Sequence, residues 1–327
     1  MPLLGTAICP LLTEDVLRRC RRAGIISVLD FLSTDSETLC MKCRLSYKDV
    51  VGINHVLQAR YAAFPQNALH LYEELLSSLA IFTTGCSRLD EILDGGIYAG
   101  EITEIVGPPA AGKTQLCHSM VTSVCLETRH SALYVDAGGS FSCRRIVDML
   151  KSRNVSQMDA DNILQRIHTV NVYDVFELMK LLEDLKIRLC SQILTPYRSL
   201  KLVILDSVAV VISPRLGVQN SDGRGLMVHL AYLLKTLCSD HALAVVICNN
   251  TVRGDDGIFK PALGQYWKFV PSVALQMERD SRDGDLHSNV RKVTVTKSCR
   301  QFVPVSTKIR ISLYGIETTD DERIPIG

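Results

Sequence analysis

Residues 107–114 read GPPAAGKT and match the pattern G-x-x-x-x-G-K-[ST]. This stretch constrains the fold because it works only where a strand hands over to a helix. EITEIV precedes it as a short β-rich run, and QLCHSMVTSVCLE follows it as a helical one. Gly107 and Gly112 let the backbone curl through Pro108, Pro109, Ala110 and Ala111, so that main-chain N–H groups converge on an anion at a helix N-terminus. Lys113 offers a positive charge to the β- and γ-phosphates of a nucleotide, and the Thr114 hydroxyl can ligate Mg²⁺. Gln115 follows in the first helical turn. The cofactors expected from these residues are ATP and Mg²⁺.

A second feature fits the first. KLVILDS, residues 201–207, is an apolar strand ending in Asp206. In an open α/β sheet that places a carboxylate at the carboxyl end of the strands, beside the phosphate loop, where it can orient the Mg²⁺ water shell. Taken alone, Asp206 could equally be a strand-end cap.

From Thr83 onward, short β-rich runs recur: ITEIVG, ALYVDA, LVILD, LAVVICNN, VRKVTVTK and IRISL. Helical patterns lie between several of them. In GLMVHLAYLLKTLCSDH, for example, Leu226, Leu230, Leu233, Leu234 and Leu237 share one face. Near-continuous apolar strands alternating with helices predict an α/β core, with a mostly parallel twisted sheet covered on both faces.

Residues 11–60 read as helical. Thr13 is a plausible N-cap followed by acids, and Gly24 a stop. The expected organisation is a small all-α domain over 1–60, of a helix-hairpin-helix-like kind, a linker over 61–82 and an ATPase core over 83–327. Main-chain amides of such a helical domain can grip a phosphate backbone, but no sharp GxG hairpin is present, and protein docking fits as well.

Formal net charge is +1, so any nucleic-acid surface must be a local patch. The twelve cysteines are scattered, several within apolar runs, which favours free thiols in a reducing compartment. Cys40 and Cys43 form a CxxC without a second pair at zinc-finger spacing; they read as helix-face thiols. MPLLGTAICPLL lacks a basic leader, and no apolar stretch reaches membrane-span length, so no membrane partner is expected.

The segments TGCSRLDEILDGGIYAGEITEIVGPPAAGKTQLC, LYVDAGGSF, LVILDS, LAVVICNN and KPALGQYWKFVPS together resemble the RecA-type recombinases over most of the chain. The small N-terminal helical region is similar to that of the eukaryotic and archaeal branch. CPLLTEDVLRRCRRAGIISVLDFL and FPQNALHLYEELLSSLAIFTTG look closest to the D-type paralogues of the eukaryotic recombinase. The resemblance implies a RecA-like P-loop ATPase fold and a subunit of hetero-oligomeric mediator complexes built with other paralogues. It further implies work on single-stranded or branched DNA, repair of double-strand breaks and cross-links, telomere maintenance and residence in the nucleus.

Residue by residue, the resemblance puts Lys113 and Thr114 on the phosphates and Mg²⁺, and Asp206 in the second metal-side role. In such enzymes a glutamate that activates water follows the strand ending YVD. Here that position holds Gly138, and the nearest acid is Asp136, two residues back. Asp136 either substitutes as the catalytic base or simply bonds the local backbone. Arg145 matches a family arginine that packs near adenine. Asn249-Asn250 resembles the polar pair that senses the γ-phosphate, with Asn250 shorter than the family's glutamine.

Two segments, 213–225 and 251–269, match mobile family loops that face DNA. They carry Arg215, Arg224, Arg253, Lys260 and Lys268, with Phe259 and Trp267 as aromatic platforms or packing residues. Tyr61 and Phe64 are placed to anchor a neighbouring subunit or to close the helical domain's own core. Two readings stand: an ATP-binding mediator subunit with weak or partner-dependent hydrolysis, and an autonomous DNA-stimulated ATPase with strand-exchange activity. A third, a non-DNA member of the wider superfamily, fits the helical region and the KPALG segment poorly.

Overall fold

A computed structural model of the chain describes residues 3–61, 67–78, 80–190, 197, 199–215, 221–253, 259–280 and 288–319. The chain divides into two compact units, Met1–Leu76 and Ser77–Gly327.

The first unit is helical: α1 (Glu14–Arg22), α2 (Val28–Ser33), α3 (Ser36–Cys43), α4 (Tyr47–Tyr61) and most of α5 (Ala68–Ser78). Its short helices are held by their caps. Thr13 accepts from Val16 N, Ser27 and Asp30 form a reciprocal capping box, and Asp35 accepts from Glu37 N and Thr38 N. Gly24, at φ +80°, ends the first of them. Leu12, Cys20, Phe31, Leu39, Cys43, Ile53 and Leu57 form the core. Cys43 is buried in that core, and burial, with Cys43 as neighbour, pushes the Cys20 thiol up to about 12.

The second unit begins with a two-stranded antiparallel ribbon, β1 (Ile81–Phe82) and β2 (Ile97–Tyr98), around α6 (Ser87–Ile92). The main sheet is built from β3 (Ile102–Gly107), β4 (Ser131–Asp136), β5 (Ile167–Asn171), β6 (Leu200–Asp206), β7 (Ala244–Arg253), β8 (Phe259–Pro261), β9 (Val273–Arg279), β10 (Val290–Lys297), β11 (Val305–Ser312) and β12 (Gly315–Thr318). Its order is β12-β11-β10-β9-β3-β7-β6-β4-β5, with β8 paired to β7. The helices are α7 (Lys113–Glu127), α8 (Cys143–Ser152), α9 (Gln157–Leu164), α10 (Val175–Cys190), α11 (Val208–Ile212), α12 (Ser221–His241) and α13 (Gly264–Trp267).

From β9 to β5 the neighbours run parallel. All six residues of β3 and of β4 are buried, as expected for strands covered on both faces. Leu116, Met120, Ile146 and Leu150 of α7 and α8 pack one face; Leu182, Leu230, Leu234 and Leu237 of α10 and α12 pack the other. The periodicity of VRKVTVTK and IRISL gives strands, but their pairing is antiparallel: β9, β10, β11 and β12 extend the parallel core as a meander. Register brings the site together, because Gly107 lies opposite Asn250 and Asp136 opposite Asp206 at the carboxyl ends of their strands.

Candidate functional site

The loop between β3 and α7 is shaped by its glycines. A Cβ on Gly107 would lie 2.5 Å from the Met277 carbonyl oxygen of β9, and Gly112 sits at φ +105°. Ala110 also takes a left-handed conformation, at φ +60°. Arg291 of β10 donates from Nε to Ala111 O at 3.1 Å, pinning the loop from outside. Lys113 is buried, and its Nζ donates to Gly107 O at 2.7 Å and Pro108 O at 3.0 Å. Burial holds the Lys113 pKa below the ordinary lysine value, with Cys248 and Asp206 opposing. A phosphate at the loop competes with those two carbonyls for the same ammonium.

Thr114 Oγ1 donates to Asp206 Oδ2 at 2.6 Å. The same oxygen accepts Tyr134 OH at 2.8 Å and Ser140 Oγ at 3.1 Å. With its proton directed at Asp206, the threonine oxygen keeps its lone pairs for a cation. Burial, reinforced by Cys117 and Asp206, raises the Tyr134 pKa, so it stays a donor. Beneath this cluster His118 stacks on Tyr134 at 5.6 Å, and Phe141 tilts against both. His118 Nε2 accepts from Ser142 N at 3.0 Å. Cys117 and Cys248, both buried free thiols, approach with Sγ atoms 3.3 Å apart. The donor set fits a Mg²⁺-nucleotide: a glycine cradle, one ammonium, one hydroxyl and one carboxylate.

Asp136 is occupied differently. Its Oδ1 accepts from Gly138 N and Ser140 N, each at 3.1 Å, and its Oδ2 from Phe141 N at 2.8 Å. Burial pulls its pKa up, but the N–H groups of Phe141, Ser140, Gly138 and Gly139 outweigh this and hold it below the ordinary aspartate value. Such a carboxylate organises the turn and is a weak proton acceptor. A Cβ built on Gly138 meets no atom within 4 Å.

Arg145 joins distant pieces of chain. Nε donates to Gln115 Oε1 at 2.9 Å, and the guanidinium reaches the carbonyls of Ser312, the last residue of β11, and of Leu313 just after it. Asn249 turns to the other face of the sheet, where Nδ2 donates to Glu104 Oε1 at 2.8 Å. Asn250 stands beside Gly107 by register. Sequence reasoning did not single out Tyr134, Ser140, His118 or Arg291. Tyr134 and Ser140 lie within the quoted LYVDAGGSF, but nothing local ties them to Asp206.

A family model described as Rad51 matches residues 76–271, and one described as RAD51D, N-terminal domain, matches residues 1–60. The chain belongs to the Rad51 family. Similar proteins include the DNA repair protein RAD51 homolog 4 of Mus musculus, 40% identical over 98% of this chain and 98% of that protein. The protein of the same name in Bos taurus is 41% identical over 97% of each chain. The probable homolog 4 of Dictyostelium discoideum is 26% identical over 93% of this chain and 95% of its own length. The Rad51-family core is thus a RecA-like, mostly parallel sheet, as the sequence led one to expect.

Of the residues expected to meet DNA, Arg215 is exposed and stands over the Phe176 ring at 5.4 Å. Arg224 stands over Tyr266 at 5.4 Å, and Lys260 and Lys268 are exposed. The side chains of Arg253 and Phe259, and the whole of Phe64, fall outside the described residues. Of the two readings left open for Trp267, platform or packing, its burial favours packing: it is 2% exposed and belongs to the apolar cluster that includes Leu230 and Leu234 of α12. Among the described residues there, Tyr266 and Phe269 are exposed aromatics. Among the described residues, no helix is long and apolar enough to cross a membrane.

Proposed function

We propose that the chain is an ATP-binding recombinase paralogue that works in the nucleus, within a hetero-oligomer of related subunits, on single-stranded or branched DNA during homologous recombination. Gly107 to Thr114 and Gln115 would hold the phosphates, Thr114 and Asp206 the Mg²⁺, and Arg145 and Asn250 would border the nucleotide. Arg215, Arg224, Arg253, Lys260 and Lys268 would meet the DNA backbone. Bound Mg²⁺-ATP supplies charge that bridges this loop to a neighbouring subunit.

The observation that carries this reading is the pairing of a complete phosphate cradle with Gly138. Binding needs the loop, Lys113, Thr114 and Asp206, and all four are in place. Hydrolysis needs a positioned base, and losing one costs on the order of 10²–10⁴ in rate. Asp136 cannot make up the difference while its oxygens serve the Gly138–Phe141 turn. The nucleotide therefore acts chiefly as a structural part of the assembly.

The test measures bound ATP and released phosphate in parallel on the full chain with its co-purifying partners, with and without single-stranded DNA. Lys113→Ala serves as the control. Tight, Lys113-dependent binding with little release is expected. Fast DNA-stimulated release would favour the autonomous ATPase.

A further inference from the structure

On the face of the sheet opposite α7, a cleft of about 410 Å³ lies between β3, β7, β9 and α13. That volume falls within the usual range for small-ligand sites. Val106, Ala274 and the Trp267 indole give it an apolar lining, and Glu104 and Thr251 lie in its wall. The Trp267 Nε1–H and Thr251 Oγ1 are buried without a hydrogen-bond partner. Buried polar groups of this kind are uncommon and costly unless something completes them. Glu104 is 4% exposed, and its Oε1 already accepts from Asn249 Nδ2. Burial raises its pKa, with the Asn249 amide and the Lys297 charge opposing. The rim is cationic, with Lys260 and Lys268 exposed and Lys297 anchored on the carbonyls of Lys268 and Pro271.

A flat, largely apolar ring with a hydrogen-bonding edge and an attached anion satisfies this set. We propose that the cleft receives one unstacked nucleobase, its edge toward Trp267 Nε1, Thr251 and Glu104, and its adjoining phosphate toward Lys260 and Lys268. This rests on the reading that segment 251–269 meets single-stranded DNA, although a free nucleotide offers the same chemistry. Just outside, Tyr266 under Arg224 and the exposed Phe269 give surfaces on which neighbouring bases can stack.

Trp267 is the single tryptophan of the chain, so its emission reports on the cleft directly. The full chain is titrated with oligothymidylate, with an abasic oligonucleotide of equal length and with dTMP. Tryptophan emission is followed throughout, and strand binding by anisotropy. Oligothymidylate and dTMP are expected to quench Trp267, while the abasic strand binds without quenching. Thr251→Val, which keeps the shape and removes the hydroxyl, should weaken the dTMP response about fivefold, the effect of one lost hydrogen bond. Equal quenching by the abasic strand, or an unchanged Thr251→Val titration, overturns the cleft and leaves the DNA reading standing. Quenching by dTMP with no strand binding keeps the cleft as a free-nucleotide site and removes the DNA reading. No quenching by any probe overturns the proposal outright.

Discussion

Thr114 Oγ1 and Asp206 Oδ2 are 2.6 Å apart, though 92 positions separate the two residues in sequence. That bond ties the first turn of α7 to the end of β6 across the intervening β7. Asp206 gathers two more hydroxyls, those of Tyr134 and Ser140, so it is structural besides its proposed metal-side role.

The two roles separate by substitution. Asp206→Asn keeps an acceptor oxygen for the hydroxyls but removes the charge. It should fold with little loss of stability and bind ATP without the usual Mg²⁺ dependence. Asp206→Ala strands the buried Tyr134 hydroxyl and should cost about 2 kcal/mol, a fall of about 4–8 °C in Tm for a unit of this size. Thermal melts read beside ATP titrations with and without Mg²⁺ check both. Equal melting of the two variants would remove the structural role.

Gly138→Glu tests the missing base. The position has open space for a side chain and no left-handed backbone requirement. The variant should fold, bind ATP as before and release phosphate at least about a hundredfold faster, the lower end of what a positioned base supplies. Phosphate release unchanged at saturating ATP would mean that more than the acid is absent.

Asp136 should show itself in acid. Its folded pKa is depressed, so the stability it contributes is present above the unfolded value of about 3.9 and is lost as pH falls through the folded pKa. Asp136→Asn should therefore be less stable than the parent at neutral pH, with the gap closing below about pH 4. Urea midpoints measured from pH 7 to pH 3 follow that gap. A gap constant across the range would place the effect in lost geometry alone.

These residues also show what a sequence displays. GPPAAGKT was legible as a strand–loop–helix turn and LVILDS as a strand ending in a carboxylate, which alone could have been a cap; the structure sets that carboxylate against Thr114. Gly138 stood out only through the resemblance, which implies a glutamate at that position. The C-terminal strands were legible as strands but not as an antiparallel meander, since pairing direction has no local signature. Arg145 was read as a nucleotide neighbour; the sequence did not show that its guanidinium also reaches the carbonyls of Ser312 and Leu313, more than 160 positions away. Backbone acceptors carry no residue identity, so contacts of that kind leave no trace in sequence. Trp267 was ambiguous for a related reason, because an aromatic after a basic loop serves equally as a platform or as packing.

The phosphate cradle gives an ordered set of stabilities. At Gly107 an added Cβ meets a backbone carbonyl of the paired strand β9, at 2.5 Å, and relief requires moving that strand. At Gly112 the nearest atoms are the Ile311 and Met277 side-chain ends, which can yield, but a φ of +105° strains any L residue by about 1–3 kcal/mol. At Gly138 neither obstacle exists. The Tm of the three alanine variants should therefore rise from Gly107→Ala through Gly112→Ala to Gly138→Ala, the last within about 0.5 kcal/mol of the parent. ATP affinity should fall for the first two only, because both distort the loop whose amides face the phosphates. A Gly107→Ala chain as stable as Gly138→Ala would show that β9 gives way easily, and that the cradle is held by Arg291 on Ala111 O rather than by the strand beneath it.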